Sequence, residues 1–237
     1  MTETGSAGVS RERRMIAESL ARGDATGWFE ELYAAAASGD LDIPWDRPVP
    51  TQPLDEWARR RGAGTGQRAV VVGCGLGRDA ELLAKLGYAT TAFDVAPSAV
   101  EQARQRHPGS AVTYVVADLM DLPEAWNGAF DLVVESITVQ SLPLGMRASA
   151  VAQVRSLVAP RGTLLVVSNV REGPADEAFV SNGPPWPLDR SEVESFAAPG
   201  DVDAFEVVAI DLVPDPVDPL VARWRAELRR GAQPSQH

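Results

Sequence analysis

Ala69-Val-Val-Val-Gly-Cys-Gly-Leu-Gly-Arg-Asp79 sets an aliphatic run against a glycine loop. Ala69 to Val72 has the continuous apolar character of a strand buried on both faces. Gly73, Gly75 and Gly77 follow with one residue between each, and Asp79 to Leu86 takes helical spacing. Strand, glycine loop and helix in that order open a βαβ unit, whose loop offers bare backbone to a ligand at the carboxyl edge of a sheet. The next strand, Tyr88 to Asp94, ends in a carboxylate. An acidic residue about 20 positions beyond such glycines is the usual partner of a ribose diol, because an ionised carboxylate only accepts hydrogen bonds.

Outward from this unit the alternation continues. Pro97 to His107 reads as a helix stopped by Pro108-Gly109, Val112 to Ala117 as the third strand and Phe130 to Glu135 as the fourth. Arg147 to Val158 reads as a helix closed by Pro160-Arg-Gly162, and Thr163 to Asn169 as the fifth strand. A loop rich in proline and glycine follows Val170, then a short helix near Arg190 to Ala197 and a sixth strand from Phe205 to Val213. The Pro214 to Pro219 run reads as a turn. From Ala222 to Arg229 apolar and charged residues alternate, the pattern of a strand with one solvated face, antiparallel to the strand before the short turn. The fold class is α/β: a Rossmann-like, seven-stranded, mostly parallel sheet with an antiparallel seventh strand and helices on both faces.

Ahead of the sheet, residues 1–10 are small and polar and read as a disordered tail. Residues 11–66 read as a helical and proline-rich cap, with Met15, Ile16 and Leu20 at helical spacing and a second helix carrying Trp28, Phe29, Leu32 and Tyr33. Pro44, Pro48 and Pro50 exclude regular structure between them, and Pro53 to Arg61 returns to helix. Residues 67–230 form the core, 231–237 a tail, and cap and core together make one domain.

The chain has 237 residues, 45% of them hydrophobic, which suits one sizeable core. A formal charge of -11 argues against nucleic acid as partner, since phosphate contacts need lysine and arginine. Cys74 is the single cysteine, so no intrachain disulfide forms, and with two histidines no metal site is expected. The absence of a long apolar run or a signal-like start gives the expectation of a cytoplasmic protein away from membranes, monomeric or homodimeric.

The spacing of the glycines separates two cofactor classes. A dinucleotide loop, G-x-G-x-x-G, needs its third glycine where Arg78 stands. The G-x-G-x-G of this chain resembles instead the loop of class I S-adenosylmethionine-dependent methyltransferases, and the resemblance covers about Gln67 to Arg229. It implies S-adenosylmethionine as cofactor, with Gly73, Cys74, Gly75 and Gly77 under the methionine part and Asp94 with Val95 at the ribose. Asp118 and Leu119 would then stand at the adenine, and Phe130-Asp-Leu-Val-Val-Glu-Ser136 would be the strand whose end, with Glu135, flanks the methyl group. Val71 departs from the pattern, since an acidic residue often stands two places before the first glycine. Apolar residues occur there in the thiopurine, halide and thiol methyltransferases and the tellurite-resistance type. That branch also carries an aromatic helix and a Pro-Trp-Asp before the sheet and a Gly-Arg-Asp after the loop, as Trp28, Pro44-Trp45-Asp46 and Gly77-Arg78-Asp79 do here.

The resemblance implies methyl transfer to a small-molecule acceptor through S, N or O, with Trp28, Trp45 and Trp186 as acceptor-pocket walls or core filling. Glu135 is the candidate functional carboxylate, and a salt bridge would account for it equally. The other readings are a protein that binds S-adenosylmethionine or S-adenosylhomocysteine without catalysis, and a dinucleotide oxidoreductase, which lacks its third glycine here.

Overall fold

The computed structural model describes residues 4–198, 204–215, 218 and 221–232. Three helices, α1 (Thr4–Ala21), α2 (Gly27–Ala37) and α3 (Gln52–Arg61), precede the sheet. Asp24 starts α2 by accepting from the Gly27 amide at 2.8 Å, and Pro53 lies in the first turn of α3, where its missing N–H costs nothing. Then follow β1 (Arg68–Val72), α4 (Arg78–Lys85), β2 (Ala89–Asp94), α5 (Pro97–Arg106), β3 (Thr113–Val116), β4 (Phe130–Ser136), α6 (Arg147–Ser156), β5 (Val158–Asn169), α7 (Glu177–Asn182), α8 (Arg190–Glu194), β6 (Phe205–Pro214) and β7 (Ala222–Arg230).

The seven strands lie in the order β3-β2-β1-β4-β5-β7-β6. β7 is antiparallel to both neighbours, and the pairings among the first five strands are parallel. Successive strand residues enter opposite layers, as period-two geometry requires. Val70, Val72, Val133, Leu164 and Val166 pack with Val151 and Val154 of α6 on one face. Val71, Ala92, Val134 and Leu165 pack with Trp57 of α3, Leu83 of α4 and Val100 of α5 on the other. A third cluster joins Leu32 and Tyr33 of α2 and Ile43 to Leu76 of the glycine loop and Ala96 and Ala99 at the start of α5. The strand order reverses between β1 and β4, and at such a switch point the diverging crossovers leave a crevice at the carboxyl edge.

The structure alters several sequence-based readings. Residues 4–10, read as a tail, open α1, while residues 1–3 and 233–237 lie outside the described residues. α6 ends at Ser156, and β5 starts at Val158 and passes through Pro160-Arg161-Gly162, which had read as a helix stop. Arg161 has φ 63° and the register to β4 shifts between Phe130 and Leu132, a bulge that accommodates a proline with no N–H to give. The charged face of β7 is solvated only in part: Arg229 is exposed, whereas α3 packs against Arg225 and Glu227. Arg225 is buried between Asp211 (2.8 Å) and Glu56 (3.4 Å), and Glu227 accepts from the Trp57 indole at 2.8 Å. Part of the Pro214 to Pro219 turn lies outside the described residues; it closes with the Asp215 amide on the Val221 carbonyl at 2.7 Å. No described helix is long and apolar enough to cross a membrane.

Candidate functional site

The glycine loop leaves β1 at the switch point with Gly73, Gly75 and Gly77 at φ 59°, 51° and 87°, the left-handed region that a Cβ disfavours. Space excludes side chains as well. A Cβ on Gly73 would stand 2.3 Å from the Thr138 hydroxyl, and one on Gly75 2.7 Å from the Tyr33 hydroxyl. The loop is held from the neighbouring strand: the Cys74 amide donates to the Phe93 carbonyl at 2.9 Å and the Gly75 amide to Asp94 Oδ2 at 2.8 Å.

Asp94 is buried, and its Oδ1 accepts from the Ala96 amide at 3.0 Å. Burial pushes its carboxyl above the usual range, and the amides of Ala96 and Gly75 pull it back. Each oxygen keeps a second lone pair for a ligand donor. Val95 is half-buried beside it. Asp94 pairs with Val116 across β2 and β3, which brings Asp118 to the same edge, exposed and bonded to the Met120 amide at 2.8 Å, with Leu119 buried beneath.

Glu135 sits near the end of β4, 1% exposed, and accepts from the Val139 amide at 2.9 Å through Oε1. Burial raises its carboxyl to about 7, against partial opposition from the Val139 and Thr138 amides. Ile137 follows at φ 66°, a strained conformation for a β-branched residue and a feature that sequence reasoning missed. Its N–H is held by the Val167 carbonyl at 2.9 Å. Cys74 has its thiol pushed well above the ordinary value by burial and then by the charge of Asp94, which suits packing and not nucleophilic chemistry.

The cap reaches this edge through aromatic side chains. Trp28 is 3% exposed, stacks on Phe29 at 3.7 Å between ring centroids and meets Trp45 edge-on at 6.1 Å. Trp45, 36% exposed, donates its indole N–H to the Tyr33 hydroxyl at 2.9 Å. Tyr33, which sequence reasoning placed only on a helix, is the cap residue lying against Gly75. The Pro-Trp-Asp and Gly-Arg-Asp motifs are partners in space: Arg78 pairs with Asp46 at 2.9 Å and donates to the Trp45 carbonyl at 3.3 Å. Asp79 accepts both the amide (2.7 Å) and the hydroxyl (2.8 Å) of Thr51 at the start of α3.

Trp186 is buried on the segment after β5. Its amide donates to the Gln140 carbonyl at 2.7 Å and its indole to the Val180 carbonyl at 3.0 Å, so the segment closes on the turn that follows β4. Arg147 and Arg171 both pair with Glu192, which ties this segment to the start of α6.

Comparison with known proteins agrees with this geometry. A family model described as Methyltransferase domain matches residues 69–162, the span from β1 into β5. The chain is 29% identical over 199 residues to a ubiquinone biosynthesis O-methyltransferase of Xanthomonas campestris pv. campestris, covering 78% of this chain and 82% of the relative. The fold is that of the class I S-adenosylmethionine-dependent methyltransferase superfamily. Within it, a probable thiol methyltransferase 2 of Arabidopsis thaliana is 25% identical over 229 residues, covering 95% of this chain and 96% of the relative, cap included. The N-methyltransferase NodS of Bradyrhizobium japonicum WM9, solved with S-adenosyl-L-homocysteine, shares the fold with a TM-score of 0.60, 20% identity and coverage of 80% of this chain and 92% of that one.

Proposed function

We propose that this methyltransferase-fold protein transfers a methyl group from S-adenosylmethionine to an S, N or O atom of a small molecule. The observation that carries the reading is the set of three positive-φ glycines at the strand-order reversal, tied by the Gly75 amide to the buried Asp94. The fit to the cofactor rests on the loop glycines, where no Cβ is accommodated and the loop itself offers only backbone, and on the lone pairs that Asp94 keeps at the same edge. Bound S-adenosylmethionine supplies an electrophilic methyl on a sulfonium, whose charge is lost in the transfer.

This chain's residues then divide the work. Gly73, Cys74, Gly75 and Gly77 would pass their backbone along the methionine part. Asp94, with its remaining lone pairs, would take the ribose hydroxyls beside Val95, and Asp118 with the Leu119 amide would meet the adenine edge. An anionic or neutral acceptor reacts without covalent catalysis once it is held in line and stripped of water. Trp28, Trp45 and Tyr33 from the cap and Trp186 from the segment after β5 would supply that dry wall, and we assign no general base. The thiopurine, halide, thiol and tellurite-resistance branch is favoured by the likeness that extends through the cap, and by the Arg78–Asp46 pair between its two motifs.

The test is formation of S-adenosylhomocysteine from S-adenosylmethionine with a panel of small thiols, heterocycles and phenols. Turnover on one class supports the reading and names the acceptor. Tight cofactor binding with no turnover on any would favour a non-catalytic binding protein.

A further inference from the structure

From Gly73 to Gly77 the loop carries a side chain at only two of its five positions, so its shape has to be held from outside. Glycine loses more conformational freedom on ordering than any other residue. At each of the three glycines the confining atom is a hydroxyl oxygen, and each comes from a different element. Gly73 abuts Thr138 of the turn after β4, Gly75 abuts Tyr33 of α2 and Gly77 abuts Tyr114 of β3, where a Cβ would stand 2.3, 2.7 and 2.3 Å from the respective oxygens.

Tyr114 confines the loop from the core. It is 6% exposed and packs in the α4 layer with Val71, Ala80 and Leu83. A buried phenol needs a partner for its O–H, a demand that phenylalanine would not make in the same place. The partner is Glu81 of α4, whose Oε1 accepts the Tyr114 hydroxyl at 2.7 Å and the Ser110 hydroxyl at 2.5 Å. Ser110 Oγ in turn accepts from the Val112 amide at 3.0 Å. The same turn between α5 and β3 reaches the loop a second time, through His107 Nε2 at 3.2 Å from the Leu76 carbonyl.

Gly77 is also the residue at which the loop becomes α4. Its φ is 87°, and its carbonyl accepts from the Glu81 amide at 2.9 Å. The next two residues hold the cap, Arg78 on Asp46 and Asp79 on Thr51. The placing of Gly77 therefore governs the loop on one side and the docking of the cap on the other. The Tyr114 hydroxyl is the stop that sets it.

We infer that Tyr114 is a positioning residue: anchored by Glu81 and Ser110, it holds the glycine loop in its binding shape and acts on a ligand through the loop alone. The inference rests on the S-adenosylmethionine reading proposed above. A loop ordered in advance has less entropy to lose when a ligand arrives, so the bracket adds affinity for the part of a ligand that lies along the loop and for no other part.

The experiment is calorimetry on the full chain with S-adenosylhomocysteine and with 5′-methylthioadenosine, which keeps the nucleoside and thioether but has no amino acid. Tyr114→Phe and Glu81→Ala should each bind S-adenosylhomocysteine about 3- to 100-fold more weakly than the wild type, the range carried by contacts within one hydrogen-bond network. Both should bind 5′-methylthioadenosine as the wild type does. Glu81→Gln keeps an oxygen that accepts both hydroxyls and should retain wild-type affinity for both ligands. An unchanged affinity of Tyr114→Phe for S-adenosylhomocysteine would overturn the assignment. Equal losses for the two ligands would also overturn it, because they would make Tyr114 a support of the fold alone.

Ser110→Ala reads the same bracket if Tyr114→Phe does not fold, since Ser110 is half-buried and lies outside the core clusters. Weaker binding of S-adenosylhomocysteine alone supports the inference, and wild-type affinity for it overturns it. Wild-type protein that binds neither ligand would overturn the cofactor reading and this assignment with it, whereas wild-type binding of both with no difference among the variants would overturn the assignment only.

Discussion

The Tyr33 hydroxyl lies against the α-carbon of Gly75, so that a Cβ there would come within 2.7 Å of it, and the same hydroxyl accepts the Trp45 indole N–H at 2.9 Å. One contact thus joins the glycine loop, the first cap helix of the aromatic cluster and the proline-rich segment. Gly75→Ala should weaken the fold for two reasons, the φ of 51° and the clash. Left-handed backbone costs a non-glycine residue about 1–2 kcal/mol, and the clash adds to it. Tyr33→Phe removes the atom that is hit. In a double-mutant cycle by chemical denaturation, the pair should cost less than the sum of the singles, by about 0.5–3 kcal/mol. Strict additivity would mean that the hydroxyl does not confine the loop.

The two cap tryptophans should separate in the same kind of measurement. Trp28 is 3% exposed, and Trp28→Ala should cost about 3–5 kcal/mol of stability, as emptying a buried aromatic site does. Trp45 is 36% exposed and loses one indole hydrogen bond on truncation, so Trp45→Ala should cost about 1–2 kcal/mol and lower methyl transfer in a single turnover. A Trp45 variant with full turnover would remove that residue from the acceptor wall.

The raised Glu135 carboxyl makes the ligand-free fold sensitive to pH. Below its usual value of 4.5 the group is protonated in both states and contributes nothing. Between 4.5 and about 7 the unfolded chain gives up the proton while the folded chain keeps it, so stability falls as pH rises. The loss reaches roughly 3 kcal/mol above pH 7, at 1.36 kcal/mol per unit of pKa. Glu135→Gln should remove this slope, leaving those of Asp79 and Asp94, which are raised in the same direction by burial. Denaturation midpoints of both proteins at pH 5 and pH 8 compare them, and parallel pH profiles would show that the carboxyl is not desolvated.

Asp94 is expected to serve the fold and the ligand together. It ties β2 to the glycine loop through the Gly75 and Ala96 amides, so Asp94→Ala should lower stability without ligand by roughly 2–4 kcal/mol, since bonds to charged groups are worth about 1.5–3 kcal/mol each. Affinity for S-adenosylhomocysteine should fall as well, by more than tenfold. Calorimetry that finds the affinity unchanged would take Asp94 out of the site.

Much of the fold was legible because the signals are local. Continuous aliphatic runs mark strands buried on both faces, and the glycine triplet marks the loop that must take positive φ. The short turn before β7 marked it as antiparallel. What escaped the sequence is tertiary in origin. Nothing near Tyr33 in the chain shows that it meets Gly75, because that contact depends on where α2 docks on α5: Glu30 accepts from Ser98 at 2.9 Å and Gln102 donates to the Tyr33 carbonyl at 2.9 Å. The alternation in β7 was real, yet α3 packs against Arg225 and Glu227, and Arg225 finds Asp211 and Glu56 instead of solvent. Pro160 to Gly162 read as a stop because proline and glycine interrupt helices and strands alike, and only pairing with β4 turns them into a bulge. The strain at Ile137 had no sequence signal, since isoleucine disfavours the conformation it takes.

The most direct test of the central claim is titration calorimetry of the wild-type chain with S-adenosylhomocysteine, with NAD run under the same conditions. If the three glycines and Asp94 form an S-adenosylmethionine site, S-adenosylhomocysteine should bind saturably with one site per chain, and NAD should give no heat of binding. Binding of NAD without S-adenosylhomocysteine, or of neither, would contradict the account.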